Sequence, residues 1–328
     1  MPTKAVITGI GHAVPSKILS NADLEKLVET SDDWITQRTG IKERRIAGPE
    51  ETSSTLGLEA SQKALSQAGV DAKDIDLVIC GTVTGDMPFP ATSCLIQDRI
   101  GATRAGAYDI GAACAGFIYS LANASAMIES GAAKKILVIG VDTLTKFVDF
   151  TDRSTCVLFG DGAGAVVLEA REDTDRGVIK TVLLSDGSGA PHIYLEGGGG
   201  LYPHCSPQAE GRRNSIFMAG AEVYRFAVNA MGDACLKVLA EAGMSPDEVD
   251  LFVPHQANLR IIDSAAKRLE LPPEKVFINV QKYGNTSGGS IPIALSEAAE
   301  QGRLKEGMVV LTVGFGAGLV WGANVIRW

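Results

Sequence analysis

Residues 59–82 read EASQKALSQAGVDAKDIDLVICGT, and residues 233–256 read DACLKVLAEAGMSPDEVDLFVPHQ. Laid in one register they share seven residues: Ala60/Ala234, Lys63/Lys237, Leu65/Leu239, Ala68/Ala242, Gly69/Gly243, Asp76/Asp250 and Leu77/Leu251. Each segment has the spacing of an amphipathic helix, a glycine where that helix stops, a polar turn, and an apolar run suited to a strand buried on both faces. Shared periodicity makes any two βα units look alike, but a common register over the whole segment favours an internal duplication.

The parallel continues downstream. YDIGAACAGF (108–117) and INVQKYGNTSGG (278–289) each pass from a strand into a turn of small residues that opens a helix, and the strands KKILVIGV (134–141) and MVVLTVGFG (308–316) follow. The expectation is an α/β protein of two fused βα halves, residues 1–172 and 173–328, packed about a pseudo-twofold axis with no linker. Equivalent turns from the two halves then meet at the centre. The stretch 187–215 departs from the pattern and reads as a mobile excursion or an insertion near the site.

A chain of 328 residues with 45% hydrophobic composition supports one large core or two fused smaller ones. Its 37 glycines against 6% aromatics imply contacts made largely by small side chains. A net charge of −9 argues against general attraction to nucleic acid. No apolar run reaches 18 residues, so no membrane span is expected, and MPTKAVITGIG lacks the apolar core of a signal peptide, which suggests the cytoplasm. The six cysteines are dispersed, without zinc spacing, so neither a metal nor a disulfide framework is expected.

Three residues stand out chemically. Cys114, between Ala112, Ala113, Ala115 and Gly116, follows a strand in a tight turn, where the start of a helix favours a thiolate and small neighbours leave room for a substrate. His255 ends the apolar strand DLFVP at the sheet edge where α/β proteins bind ligands. Asn285 lies in the turn equivalent to that of Cys114, and its amide suits an oxyanion. Each has a plainer reading, as a buried cysteine, a structural histidine and a turn asparagine. Their convergence on one end of one sheet favours a nucleophilic site, although a cysteine hydrolase and a non-catalytic binding module also remain open. GIGHAVP (9–15) and GDGAGAVVLE (160–169) fall short of nucleotide-binding loops, and the second reads as a structural hairpin.

The stretches SDDWITQRTGI (31–41), GAACAGF (111–117), FGDGAGAVVL (159–168), HQANLRI (255–261), YGNTSGGSIPIAL (283–295) and GFGAGLVWG (314–322) occur in one order along the chain. In these the chain resembles the ketoacyl synthase III branch of the thiolase superfamily. The resemblance implies the thiolase fold, with duplicated βα halves in a five-layered αβαβα arrangement. It implies that Cys114 takes an acyl group from acyl-CoA, and that malonyl-acyl-carrier protein then condenses with it, losing carbon dioxide. His255 and Asn285 would hold the enolate oxygen, and the backbone of Cys114 and of the Phe315–Gly316–Ala317 turn the other oxyanion. No cofactor is implied, since acyl-CoA is a substrate.

By the same resemblance Trp34 and Arg153 sandwich the CoA adenine, Arg38 meets its phosphates, and Gly220, Tyr224 and Asn258 line the pantetheine tunnel. Phe89 matches a pocket-lining position that would help to set primer length. Arg225, Arg260, Lys267 and Arg268 would form a basic patch for an acidic carrier protein, and a homodimer is expected. The turn GNTSGGS departs from the family in having Gly288 and Gly289 where two alanines are expected, which predicts a looser helix start. A related acyltransferase or ketone synthase using the same three residues on another acceptor is the nearest alternative.

Overall fold

The computed structural model describes residues 3–328. Its first sheet contains β1 (Lys4–Ala13), β4 (Leu77–Gly81), β5 (Gly106–Ile110), β6 (Lys135–Thr143) and β7 (Asp161–Arg171), in the order β1-β7-β6-β4-β5. The second contains β8 (Gly177–Ser185), β11 (Leu251–Pro254), β12 (Val309–Gly316) and β13 (Val320–Arg327), in the order β11-β12-β13-β8. Read from the other edge, the second order is that of the first: two antiparallel pairings, then parallel ones. The counterpart of β5 is reduced to one parallel bridge, Phe252 to Val276.

Helices cover and separate the sheets. α3 (Ser53–Ala68) and α4 (Thr92–Ile100) pack on the outer face of the first sheet, where Val78, Cys80, Leu137 and Ile139 meet Leu56, Ala60 and Ile96. Their alternate neighbours Ile79, Ile136 and Val138 point inward, as strand period demands. Those inner residues meet α5 (Gly116–Glu129) and α10 (Ser290–Glu300), which also touch Leu251, Val253 and Val310 of the second sheet. α7 (Gly220–Ala242) and α8 (Leu259–Arg268) close the far side. The order is therefore helices, sheet, central helices, sheet, helices. Phe117, Ile118 and Leu121 of α5 are fully buried, each contributing about 1.5–3 kcal/mol.

The repeated segments end alike. α3 and α7 both stop at a left-handed glycine, Gly69 at φ 65° and Gly243 at φ 69°. Asp76 and Asp250 then perform the same task, accepting from Lys135 N and Val309 N of the neighbouring strands.

Smaller elements lie at the margins. They are the ribbon β2 (Ile18–Ser20) with β3 (Glu43–Arg45), the helices α1 (Asn21–Leu24), α2 (Asp32–Thr39), α6 (Arg153–Cys156) and α9 (Val280–Tyr283), and the pair β9 (Ile193–Tyr194) with β10 (Phe217–Met218). The last pair belongs to the atypical 187–215 stretch and its exit.

Two local expectations change. GDGAGAVVLE forms no hairpin: it opens the interior strand β7, and its glycines admit α10. A Cβ on Gly164 would lie 2.6 Å from Pro292 Cβ, and one on Gly162 2.8 Å from Ile293 Cδ1. Nor is the Gly288–Gly289 turn loose. A Cβ on Gly289 would meet Gly162 O at 2.4 Å, and one on Gly140 would meet Gly288 O at 2.2 Å, so the halves approach backbone to backbone there.

Candidate active site

α5 and α10 each begin with a short 3-10 turn, residues 113–115 and 287–289, whose first residue has a positive φ. The first turn carries Cys114. Asn285 stands just before the second, where its N–H donates to Leu158 O at 2.9 Å and its carbonyl accepts from Gly160 N at 3.0 Å. This bridge between Phe159 and Asn285 seats the amide on the backbone of the opposite half. The Ser287 N–H donates to Asn285 Oδ1 at 2.9 Å, which turns the Nδ2 donors the other way.

His255 leaves the end of β11, its N–H donating to Val313 O at 2.7 Å. Its Nδ1 lies 2.5 Å from Ser290 Oγ, and that oxygen already faces Gln256 N–H at 3.3 Å. With the Ser290 hydroxyl donating to Nδ1, the neutral ring carries its proton on Nε2. Nε2 is buried and without a protein partner. Desolvation depresses the His255 pKa to about 3, so the ring is neutral at physiological pH.

Cys114, His255 and Asn285 line one cavity of about 480 Å³, together with Phe315 and Gly316. A Cβ on Gly316 would lie 2.5 Å from Cys114 N, so only glycine lets these backbones meet. Arg38, Gly220, Tyr224, Arg225, Asn258 and Arg260 also line this cavity. A second cavity of about 240 Å³ also has Cys114 in its lining and is walled by Leu144, Phe147, Phe159, Ile216 and the 193–195 segment. The atypical stretch therefore supplies part of a wall. Such a constellation can hold an acyl thioester on sulfur with an apolar chain in one cavity and a long polar arm in the other.

The helix start favours a thiolate, and burial works against it: desolvation pushes the Cys114 thiol up to about 12, with Asp142 adding to the rise and the Ser287 hydroxyl opposing it. Desolvation of the anion outweighs the local donors. Phe89 is 84% exposed in the 85–91 loop and is not among the residues lining either cavity.

Trp34, half-buried in α2, has two arginines against its ring: Arg153 Cζ is 4.9 Å and Arg38 Cζ 5.5 Å from its centre. A flat ring inserted between Trp34 and Arg153 needs about 7 Å, two van der Waals contacts, so Arg153 must draw back to admit one. Asn258 caps α8 through Arg260 N–H at 2.9 Å and donates to Arg38 O at 3.1 Å. Arg260 lies over the Tyr224 ring at 5.2 Å, and Lys267 is exposed on the same helix. Arg225 pairs with Glu222 at 2.9 Å, and Arg268 with Asp233, which reduces the free charge of both.

Ser290, Ser287, Asp142 and Gln256 were not singled out from sequence. Gln256 accepts from Asn279 N and Val280 N and donates to Pro254 O and Phe277 O, fixing the backbone beside His255. Among the described residues no group of three or more His, Cys, Asp or Glu side chains is placed to hold a metal ion. No described helix is long and apolar enough to cross a membrane.

The family profile for 3-oxoacyl-[acyl-carrier-protein (ACP)] synthase III matches residues 108–187, and its C-terminal counterpart matches 239–328. A Roseiflexus sp. (strain RS-1) protein named β-ketoacyl-[acyl-carrier-protein] synthase III is 52% identical over 328 residues, all of this chain and 99% of that one. This chain belongs to the 3-oxoacyl-acyl-carrier-protein synthase III family. A synthase III from Caldanaerobacter subterraneus subsp. tengcongensis is 49% identical over 99% of this chain and 98% of its own. The crystal structure of the Aquifex aeolicus VF5 synthase III superposes with a TM-score of 0.91 at 46% identity, covering 99% of this chain and all of that one. The layers described above are those of the thiolase fold.

Proposed function

We propose that this chain joins an acyl-CoA primer to malonyl-acyl-carrier protein, releasing CoA and carbon dioxide and giving a 3-oxoacyl-carrier protein, the opening step of fatty acid synthesis. The observation that carries this reading is a neutral histidine whose Nε2 has no protein partner and an asparagine whose Oδ1 is already taken by a backbone N–H, beside a cysteine in one cavity.

In the first half-reaction the Cys114 sulfur attacks the acyl carbonyl, and the thiol proton leaves with the CoA sulfur. Backbone N–H groups of Cys114 and of the 315–317 turn stabilise the oxyanion. In the second, the malonyl carboxylate departs as carbon dioxide and leaves its electron pair as an enolate. His255 Nε2–H and Asn285 Nδ2–H stabilise the enolate oxygen, so no metal or cofactor is called on. The α-carbon then attacks the Cys114 thioester, and the sulfur leaves.

In this reading Arg38 meets the CoA phosphates, Trp34 and Arg153 the adenine, and Gly220, Tyr224 and Asn258 the pantetheine arm, and the shared cavity lining of Arg38, Gly220, Tyr224 and Asn258 supports it. Arg225, Arg260, Lys267 and Arg268 suit an acidic carrier protein, with Arg260 and Lys267 the stronger members because the other two are ion-paired. A cytoplasmic homodimer fits the apolar exposure of Val83, Met87 and Phe89 on one loop region. The deciding experiment incubates the protein with acetyl-CoA and reads its intact mass, then adds malonyl-carrier protein and assays the 3-oxoacyl product. An acetyl adduct that is absent in Cys114→Ser, and is discharged into product, supports the reading; no adduct refutes it.

A further inference from the structure

Behind the sulfur stands a hydroxyl with no evident partner. Ser287 is 1% exposed, lines the smaller cavity with Cys114, and its Oγ completes no hydrogen bond of regular geometry. Leaving a buried hydroxyl unpaired costs its full desolvation penalty. Its φ of 51° adds backbone strain. The residue is held in place against both costs.

Two acceptors border the turn that carries this hydroxyl. One is the Cys114 sulfur. The other is Asp142, fully buried at the end of β6. Asp142 Oδ1 accepts from Thr82 Oγ1 at 3.1 Å, Val83 N at 2.9 Å, Thr84 N at 3.1 Å and Thr84 Oγ1 at 2.8 Å. Oδ2 takes only the N–H of Gly288, the residue after Ser287, at 3.0 Å, and so keeps capacity for another donor. Ser287 shares the lining of the smaller cavity with Cys114 and precedes the residue whose N–H holds Asp142 Oδ2, so its unpartnered hydroxyl lies in a turn that borders both acceptors.

We propose that Ser287 is a positioning residue whose single hydroxyl proton alternates between the Cys114 sulfur and Asp142 Oδ2 in step with acylation. A thiolate is a strong, charge-assisted acceptor, whereas a thioester sulfur is a weak one. The hydroxyl therefore donates to the sulfur while it is anionic and turns to Asp142 once an acyl group is attached. When the enolate attack expels the sulfur, the hydroxyl turns back. It thus favours thiolate in both covalent steps and leaves decarboxylation, on the His255–Asn285 side, untouched.

The titratable groups about the sulfur are Asp142 from β6 and His255 from β11, with Arg38, Tyr224, Arg225 and Arg260 also lining the larger cavity. None is altered by substitution at Ser287. This inference rests on Cys114 being the nucleophile, and its test separates the two.

Full-length Ser287→Ala and Ser287→Gly are compared with the parent in three assays: iodoacetamide alkylation of Cys114 against pH, acylation by acetyl-CoA, and decarboxylation of a malonyl thioester. Both variants lack the hydroxyl, but only glycine relieves the strain. The expected result is the same for both: an alkylation profile displaced by about one pH unit upward, about tenfold slower acylation at pH 7, and decarboxylation within about twofold of the parent. Asp142→Asn, which removes the opposing charge, displaces the profile downward. An unchanged profile in Ser287→Ala, an effect confined to glycine, or a parallel fall in decarboxylation overturns the proposal. If the parent itself shows no acylation at Cys114, it is the functional reading that falls.

Discussion

Ala113 and Ser287 occupy matching places in the two halves and share a left-handed backbone, at φ 44° and 51°. Neither is glycine, so each conformation costs on the order of 1–3 kcal/mol. The strain buys two elbows that bring the starts of the central helices to one end of the molecule, where the thiol of one half faces the imidazole and amide of the other.

The two half-reactions separate by residue. Cys114→Ala abolishes acylation by acyl-CoA and retains malonyl decarboxylation. His255→Ala and Asn285→Ala keep acylation and lose decarboxylation by about 10²–10³-fold, the effect of removing one oxyanion donor. Mass shift and carbon dioxide release are the measurements, and equal loss of both steps in all three variants contradicts the assignment.

Decarboxylation shows no acid limb near pH 6.5, because burial holds His255 down to about 3. The unfolded chain protonates this histidine below about 6.5 while the folded chain does not, so acidification from there costs stability. A pH–rate profile of the half-reaction checks the first statement: an inflection at 6.5 that vanishes in His255→Asn argues against a neutral donor.

Trp34→Ala raises KM for acyl-CoA about tenfold at nearly constant kcat, since its ring binds ground and transition states alike. Acyl-pantetheine, which lacks the adenine, should not distinguish the variant from the parent. Equal losses with both substrates would make Trp34 a packing residue.

Arg260→Glu with Lys267→Glu weakens turnover with malonyl-carrier protein by about tenfold or more and leaves acylation by acyl-CoA within about twofold. Parent turnover should fall with added salt, as exposed charge pairs are screened over about 10 Å at 0.1 M. Salt-independent kinetics in the parent would exclude the patch.

Gly140→Ala destabilises the protein by about 3 kcal/mol, because its methyl would fall 2.2 Å from Gly288 O, a backbone atom. Gly131→Ala tests a different cost, as nothing stands within 4 Å of its Cβ but its φ is 77°. Urea melts of both separate collision from backbone strain.

The duplication was legible because Gly69 and Gly243, Asp76 and Asp250 perform the same structural tasks, which left the same letters in both halves. The grouping of Cys114, His255 and Asn285 followed from that symmetry. What escaped notice lies in turns of small residues. Ser287, Ser290 and Asp142 resemble ordinary turn and strand-end residues until the other half is docked on them. GDGAG was misread because glycine usually weakens a strand, whereas here it clears a path for α10. Phe89 was carried over from the resemblance, and one chain alone gives it no cavity to line.

The bridge between Phe159 and Asn285 has a developmental consequence. The amide takes its position from the opposite half, so in the proposed reading a chain whose C-terminal half has folded but not docked has the asparagine without its seat. Readiness to decarboxylate malonyl units would then arrive last, as a certificate of completed assembly.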